Sequence, residues 1–391
     1  MNFDLSEEQH ALRESLHSYL RSNYQFEQRQ ATVAGPEPFD RALWQECADL
    51  GWLALPFAPE QGGLGGSAIE LMLLFEQCGR FLVVEPFLET LLMAGGVLKR
   101  VRGDDIDTRL NAIIAGRTQG ALAHGEPQHC DERGSVRCTA TYQGGAFALS
   151  GRKAVIYNAP TADFFIVSAT ADAVAPGLAR GDLCLFLVDS HQPGLALTPY
   201  QTVDGRCAAE VNLNGASVDS HRLVCSGDKA EQLIRAVFDD VTLALAAESI
   251  GAMDVLVSET ARYISHRKQF GRPIAEFQSL QHSVADMYMA SELARSLVYA
   301  AAIKLREGAQ DASLFLAAAK AKADKSGVFV AHNAIQLHGG IATTDELKIG
   351  HYLKRITVSA NLYGSRASQV RRFWQARCEP SKQCSSPELA A

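Results

Sequence analysis

Tyr263-Ile-Ser-His-Arg-Lys-Gln-Phe-Gly-Arg-Pro-Ile-Ala-Glu-Phe-Gln-Ser-Leu-Gln-His-Ser-Val-Ala-Asp-Met287 reads as the end of one helix, a turn at Gly271 and Pro273, and the start of another. Arg267 and Lys268 bring positive charge to the turn, and Gln269 and Phe270 add an amide and an aromatic ring. A plain connector has no need of that set. An anionic, planar ligand does, because a guanidinium makes paired charge-assisted hydrogen bonds to phosphate.

Both flanks of this stretch keep a helical period. Upstream, Ile234, Val237, Val241 and Leu245 recur three or four apart. Alanine-rich segments at roughly 228–265, 275–307 and 311–338, with a fourth after Glu346, predict a C-terminal four-helix bundle. Between about 120 and 225 the period changes. Glu210-Val211-Asn212-Leu213-Asn214 alternates, and 164–168 and 183–188 are short apolar runs between turn residues, which predicts a compact β domain. Residues 3 to about 115 read as helices, with Ser6 and Gln9 spaced as a capping box, a glycine-rich loop at 56–66, and a break at Pro86. The fold class is α+β: a helical domain (1–118), a middle β-barrel or sandwich (119–226), a helical bundle (227–378) and a frayed tail (379–391).

Composition narrows the function. The 391 residues exceed what one core supports, and 47% hydrophobic with 21% charged residues is ordinary globular usage. A net charge of -7 without a basic stripe speaks against nucleic-acid binding. Nine scattered cysteines show no CxxC or metal-ligand spacing, so reduced thiols and no metal are expected. The N-terminus lacks the order of a signal peptide, and no uninterrupted apolar run reaches the roughly 20 residues of a membrane span. A cytoplasmic protein without membrane contact is expected.

The turn now becomes recognisable. Arg267-Lys268-Gln269-Phe270-Gly271-Arg272-Pro273-Ile274, followed by Phe277-Gln278 and Gln281-His282, resembles the acyl-CoA dehydrogenase signature. Gln336-Leu337-His338-Gly339-Gly340-Ile341, with Thr344 and Glu346, resembles that family's C-terminal glycine turn. The opening Leu5-Ser6-Glu7-Glu8-Gln9 and the loop at 56–66 are similar to the family as well. Alone, Arg267 would be a solvated helix-end residue and Gly339-Gly340 a helix cap. Their order and spacing together favour the family. The resemblance implies FAD as cofactor, oxidation of an acyl-CoA thioester to the 2,3-enoyl product, and electron-transfer flavoprotein as acceptor. It implies that Arg267, Gln269, Phe270, Gln336, Gly339 and Gly340 contact FAD, reaching a neighbouring subunit's flavin, so an oligomer, a tetramer in this family, is expected.

The chain departs from the family where the chemistry is done. The family's base is a glutamate late in the bundle. Matching glycines places Tyr363 there, and matching the upstream Arg355 places Gly364 there, so the catalytic residue is unassigned. Members with a base on the first bundle helix carry it near Val241. Asp240, beside Asp239, is the weak candidate here, while Glu248 suits a buried pair, and Thr242 replaces a family arginine. Gly125-Glu126-Pro127-Gln128-His129-Cys130 and Val155-Ile156-Tyr157-Asn158 stand where the resemblance implies the flavin-ring cradle. The stacking tryptophan and the threonine near the reacting nitrogen are both replaced, though Tyr157 keeps a hydroxyl. This pattern resembles the small, base-lacking subunits of bacterial heteromeric enzymes such as pimeloyl-CoA dehydrogenase and steroid side-chain acyl-CoA dehydrogenases. The resemblance implies a second acyl-CoA dehydrogenase chain in a heterotetramer, acting in fatty acid or steroid side-chain catabolism. A self-sufficient homo-oligomer, a non-enzymatic subunit that completes an FAD site, and flavin oxidase or monooxygenase chemistry on the same fold are the alternatives.

Overall fold

Ser6 starts the first helix as its spacing predicts: its hydroxyl accepts the Gln9 N–H while the Gln9 side chain accepts the Ser6 N–H, opening α1 (Glu7–Asn23). The computed structural model describes residues 3–128, 136–174 and 177–378. The expected frayed tail and the cradle residues His129 and Cys130 lie outside them. After α1 come α2 (Phe26–Ala34), α3 (Arg41–Asp49) and α4 (Ala68–Phe81), the last opened by a capping box from Ser67 and Glu70. Past Pro86 the chain winds as a π-helix over Phe87–Ala94, continues into α5 (Gly95–Leu98), and closes the domain with α6 (Asp104–Ile114). A π-turn is wider than an α-turn and is frequent at functional sites.

The middle region is one sheet of eight strands: β1 (Gly120–Ala123), β2 (Thr139–Gln143), β3 (Ala146–Tyr157), β4 (Phe164–Ala171), β5 (Leu183–Asp189), β6 (Leu195–Gln201), β7 (Cys207–Asp219) and β8 (Leu223–Ser226). Their order is β6-β7-β3-β2-β4-β5-β8, with β1 also on β4. No pairing between β6 and β8 closes this path into a strict barrel among the described residues. The strands at 164–168 and 183–188 are apolar without alternation because both faces are buried. Phe165, Val167, Phe186 and Val188 fill the sheet's own core, whereas Phe164, Ile166, Leu185 and Leu187 join the helical core. The period of two thus welds the sheet to the helices.

The C-terminal helices are α7 (Gly227–His266), α8 (Gln278–Arg306), α9 (Ala312–His338), α10 (Lys348–Ser359) and α11 (Arg366–Cys378). A hairpin of β9 (Lys268–Gln269) and β10 (Arg272–Pro273) joins α7 to α8. The fourth helix expected after Glu346 forms as two, α10 and α11, parted by a turn that holds Tyr363 and Gly364. α7 is long and apolar enough to cross a membrane, but most of that stretch is buried against other helices, so it is a core helix. It meets α4 backbone to backbone: a Cβ at Gly79 would lie 1.9 Å from the Glu248 carbonyl oxygen, and one at Gly251 1.8 Å from that of Glu76.

Where helices, sheet and bundle meet, charges are buried together. Arg355 on α10 donates Nη1 to Glu248 of α7 at 2.6 Å and Nη2 to the Val83 carbonyl at 2.9 Å, and its Nε lies in ion-pair range of Asp204 at 3.1 Å. Arg206 takes the same Asp204 carboxylate at 2.8 Å and approaches Glu89 of the π-helix at 3.6 Å. Arg29 of α2 adds bonds to the Leu82 and Asp204 carbonyls, both at 2.9 Å. Removing one member strands its partners without water. Arg355→Met is therefore expected to lower stability by about 3–5 kcal/mol. Lys354→Ala, at an exposed side chain on the same helix, is expected to change it by less than about 0.5 kcal/mol. Urea unfolding followed by circular dichroism measures both, and equal small effects would contradict the assignment.

Candidate functional site

The turn at 267–273 stands open to solvent. Arg267 ends α7 with its N–H on the Tyr263 carbonyl at 2.8 Å, and its own carbonyl accepts Ile274 N–H at 2.8 Å. Phe270 and Gly271 have φ of 53° and 79°, the left-handed pair that a two-residue hairpin of type I′ requires. Glycine tolerates this; phenylalanine does not do so readily. Phe270 is nevertheless held there 90% exposed, perpendicular to Phe277 with ring centroids 6.1 Å apart, and Arg272 lies over the Phe277 ring at 4.3 Å. Arg267 has no ion pair among the described residues.

The second motif sits beside the first. His338, near the end of α9, stacks on Tyr263 with ring centroids 4.4 Å apart and donates through Nδ1 to the Ala334 carbonyl at 2.8 Å. The next residue, Gly339, has φ 71° and ψ −153°, a conformation that glycine alone adopts at low cost. A Cβ at Gly339 or Gly340 would meet nothing within 4 Å, so the backbone is open to an approaching group. Gln336 is exposed on the same turn of α9. Both turns lie at helix C-termini, whose dipoles repel anions. Arg267 offsets that repulsion, and the six residues suit a phosphate joined to a planar ring.

The cradle stretches come together elsewhere, around an apolar cavity of ≈190 Å³ lined by Met93, Leu122, Phe238, Leu362 and Tyr363 among others. Gly125, Glu126, Val155 and Ile156 form its sheet side. Lys153–Ile156 on β3 spans the length of Val211–Ala209 on β7, so β3 carries an extra residue there and Val155 is forced to φ 55°. A β-branched residue at positive φ inside a bulge is strained, and such strain collects at ligand sites. Buried Lys153 braces the bulge, donating to Glu126 at 2.8 Å, Ser168 at 3.0 Å and the His124 carbonyl at 3.3 Å.

Glu126 is the one carboxylate among the described residues lining this cavity, and it is already engaged. It accepts the Arg137 and Cys138 N–H groups at 2.9 Å besides Lys153. Burial opposes its charge, but Lys153 and these donors hold it below the usual carboxylate range. Tyr363, one of the two residues that sequence matching offers for the base position, brings a neutral phenol: burial, then Glu89 and Tyr157, lift it well above its ordinary value.

The other sequence candidates are not brought here. Asp240 pairs with Arg100 at 2.8 Å and Lys99 at 3.8 Å, Asp239 accepts from Arg372, and Glu248 belongs to the buried ion cluster. Tyr157 turns away beneath Arg206, whose guanidinium lies 4.5 Å from its ring. Gly364 lies in the turn but does not line the cavity. Sequence reading missed Phe238 and His124, whose tilted rings lie 5.6 Å apart, with Phe238 then 5.5 Å from Tyr363. Phe238 sits at helical spacing from Val241 and reads as core.

Comparison with known proteins follows the same division. The chain matches the acyl-CoA dehydrogenase N-terminal domain over residues 6–98, the middle domain over 121–215 and the C-terminal domain over 232–376. It is 30% identical to benzylmalonyl-CoA dehydrogenase of Aromatoleum aromaticum, over 77% of this chain and 80% of that protein. The solved ChsE4-ChsE5 complex from Mycobacterium tuberculosis includes a chain superposing with a TM-score of 0.86 at 25% identity, covering 97% of this chain and 100% of that one. The FAD complex of PigA superposes with a TM-score of 0.85 at 25% identity, covering 96% and 98%.

Two small voids of ≈20 and ≈10 Å³ are both bordered by Glu89 and Arg206, the larger also by Glu85. Burial lifts the Glu85 carboxyl to about 7, and neither of its oxygens has a hydrogen-bond partner among the described residues. A carboxyl raised on folding contributes its stability fully below its unfolded value, near 4.5, and loses it as pH rises through 7. The loss is about 3 kcal/mol. Glu85→Gln is expected to flatten the fall in stability between pH 5 and 8 by most of that amount. Parallel pH profiles for the two proteins would refute it.

Proposed function

Because the chain belongs to the acyl-CoA dehydrogenase family, oxidoreductases whose cofactor is FAD, we propose that it is the less catalytic subunit of a heteromeric enzyme. That enzyme desaturates an acyl-CoA thioester between carbons 2 and 3, on a medium, dicarboxylic or bulky cyclic acyl group. The residues 267–270 and 336–340 hold the adenine and pyrophosphate end of an FAD whose flavin ring lies against another chain.

The observation that carries this reading is a contrast within one molecule. Arg267, Gln269, Phe270, Gly339 and Gly340 are exposed and shaped for a ligand, yet the apolar cavity offers no unpaired carboxylate among its described residues. Removing an α proton needs a base near substrate and donors at the thioester oxygen, where enolate charge develops. When bound, FAD supplies the hydride acceptor. This chain's part is to bind and orient: Arg267 compensates phosphate charge, Phe270 offers a ring face, and the glycine turn admits close backbone contact. Asp240, the alternative base of a self-sufficient enzyme, is held by Arg100 and Lys99, which favours the heteromeric reading.

An exposed stripe of Tyr288, Met289 and Leu293 on α8, following the hairpin in sequence, supports assembly with other chains. A cytoplasmic heterotetramer that passes electrons to electron-transfer flavoprotein completes the proposal. Purified alone, the chain is expected to carry little flavin and to give no flavin reduction with acyl-CoA; with a glutamate-bearing partner it is expected to do both. A yellow homotetramer that reduces its own FAD with acyl-CoA would overturn the reading. In the complex, Arg267→Ala is expected to weaken FAD binding roughly ten- to a hundredfold, the loss of one or two charge-assisted hydrogen bonds. Flavin release measured by fluorescence reports it.

A further inference from the structure

We propose that Tyr363 is a fixed plug, which ends this chain's apolar cavity short of the two small voids at Arg206 and so keeps slender acyl or alkyl chains out. The inference rests on the reading of this chain as a subunit without a working acyl site, and it adds a physical obstruction to the missing base. Two elements run from the cavity to the voids behind it. Met93 of the π-helix lines the cavity and Glu89, four residues earlier, borders both voids. On β3, Ile156 lines the cavity and Tyr157 borders a void. Tyr363 lines the cavity and lies within electrostatic reach of Glu89, Tyr157 and Arg206. Its ring closes against Phe238 at 5.5 Å.

The backbone favours a smaller residue at this place. Tyr363 has φ 52° and Gly364 φ 112°, so the turn holds a bulky side chain in a left-handed conformation that glycine adopts without penalty. Strain of this kind persists where surrounding structure enforces it. α10 anchors the turn through Arg355, and Lys320 of α9 donates to the Ser359 carbonyl at 2.9 Å. At the far end Arg206 keeps Nη2 without a hydrogen-bond partner among the described residues. The ligand class of the opened channel is therefore an unbranched apolar chain ended by a neutral hydrogen-bond acceptor.

A series of n-alcohols from hexanol to dodecanol, titrated calorimetrically into the full chain, tests this. Affinity rises about fourfold per buried methylene until the cavity is filled. The wild type and Tyr363→Phe, which keeps the ring, are expected to stop gaining at the same length. Tyr363→Gly, which relieves the left-handed strain, and Phe238→Ala, which opens the same wall from α7, are expected to gain over about two or three further carbons. An unchanged length limit in whichever of these two variants folds, judged by circular dichroism, overturns the plug. Flavin content of the wild type, measured in parallel, reports separately on the subunit reading.

Discussion

Arg355 is the interaction on which the rest of the structure depends. Its guanidinium reaches Glu248 of α7, Asp204 beside the sheet and the Val83 carbonyl of the helical domain, so three parts of the chain share one buried cation. No isolated pair would survive there, because taking each charge out of water costs several kcal/mol. The cluster persists because Arg206 and Arg29 complete it: Asp204 is held well below the usual carboxylate range by both Arg206 and Arg355, against its own burial. The buried ions fix where α10 ends, and the turn after α10 carries Tyr363. Assembly of the fold and closure of the cavity thus share one cause.

The two ends of the bundle have opposite characters. Near Arg267 and Gly339 the chain exposes an aromatic ring, a cation and bare backbone, features that cost stability unless something binds them. At the other end the charges pair internally: Lys153 with Glu126, Asp240 with Arg100, Glu248 with Arg355. Exposed groups at one end and paired carboxylates at the other are the contrast on which the proposed subunit role rests.

Much of this was legible in local sequence. The capping box of Ser6 and Gln9, the turn at Gly271 and the glycine pair at 339–340 each act within four residues, and the structure has them where spacing puts them. The apolar runs of β4 and β5 were readable as strands, although that they are buried on both faces emerges only from packing. What was hidden is non-local. The cluster joins positions 29, 89, 204, 206, 248 and 355, none of which signals another in sequence. The π-helix has no marker in Phe87–Ala94, an apolar run that any helix would suit. Asp240 looked available because Arg100 lies 140 positions away, and Phe238 passed for core because an aromatic on an α-helix usually is.

The central claim is that the turns at 267–270 and 336–340 serve a flavin whose ring belongs to another chain. A cryo-electron microscopy structure of the complex with its partner and FAD tests it most directly. Adenine is expected against Phe270, pyrophosphate beside Arg267 and the Gly339-Gly340 backbone, and the flavin ring in the partner's cavity. A flavin ring lodged in this chain's own cavity, between Val155 and Tyr363, would contradict it.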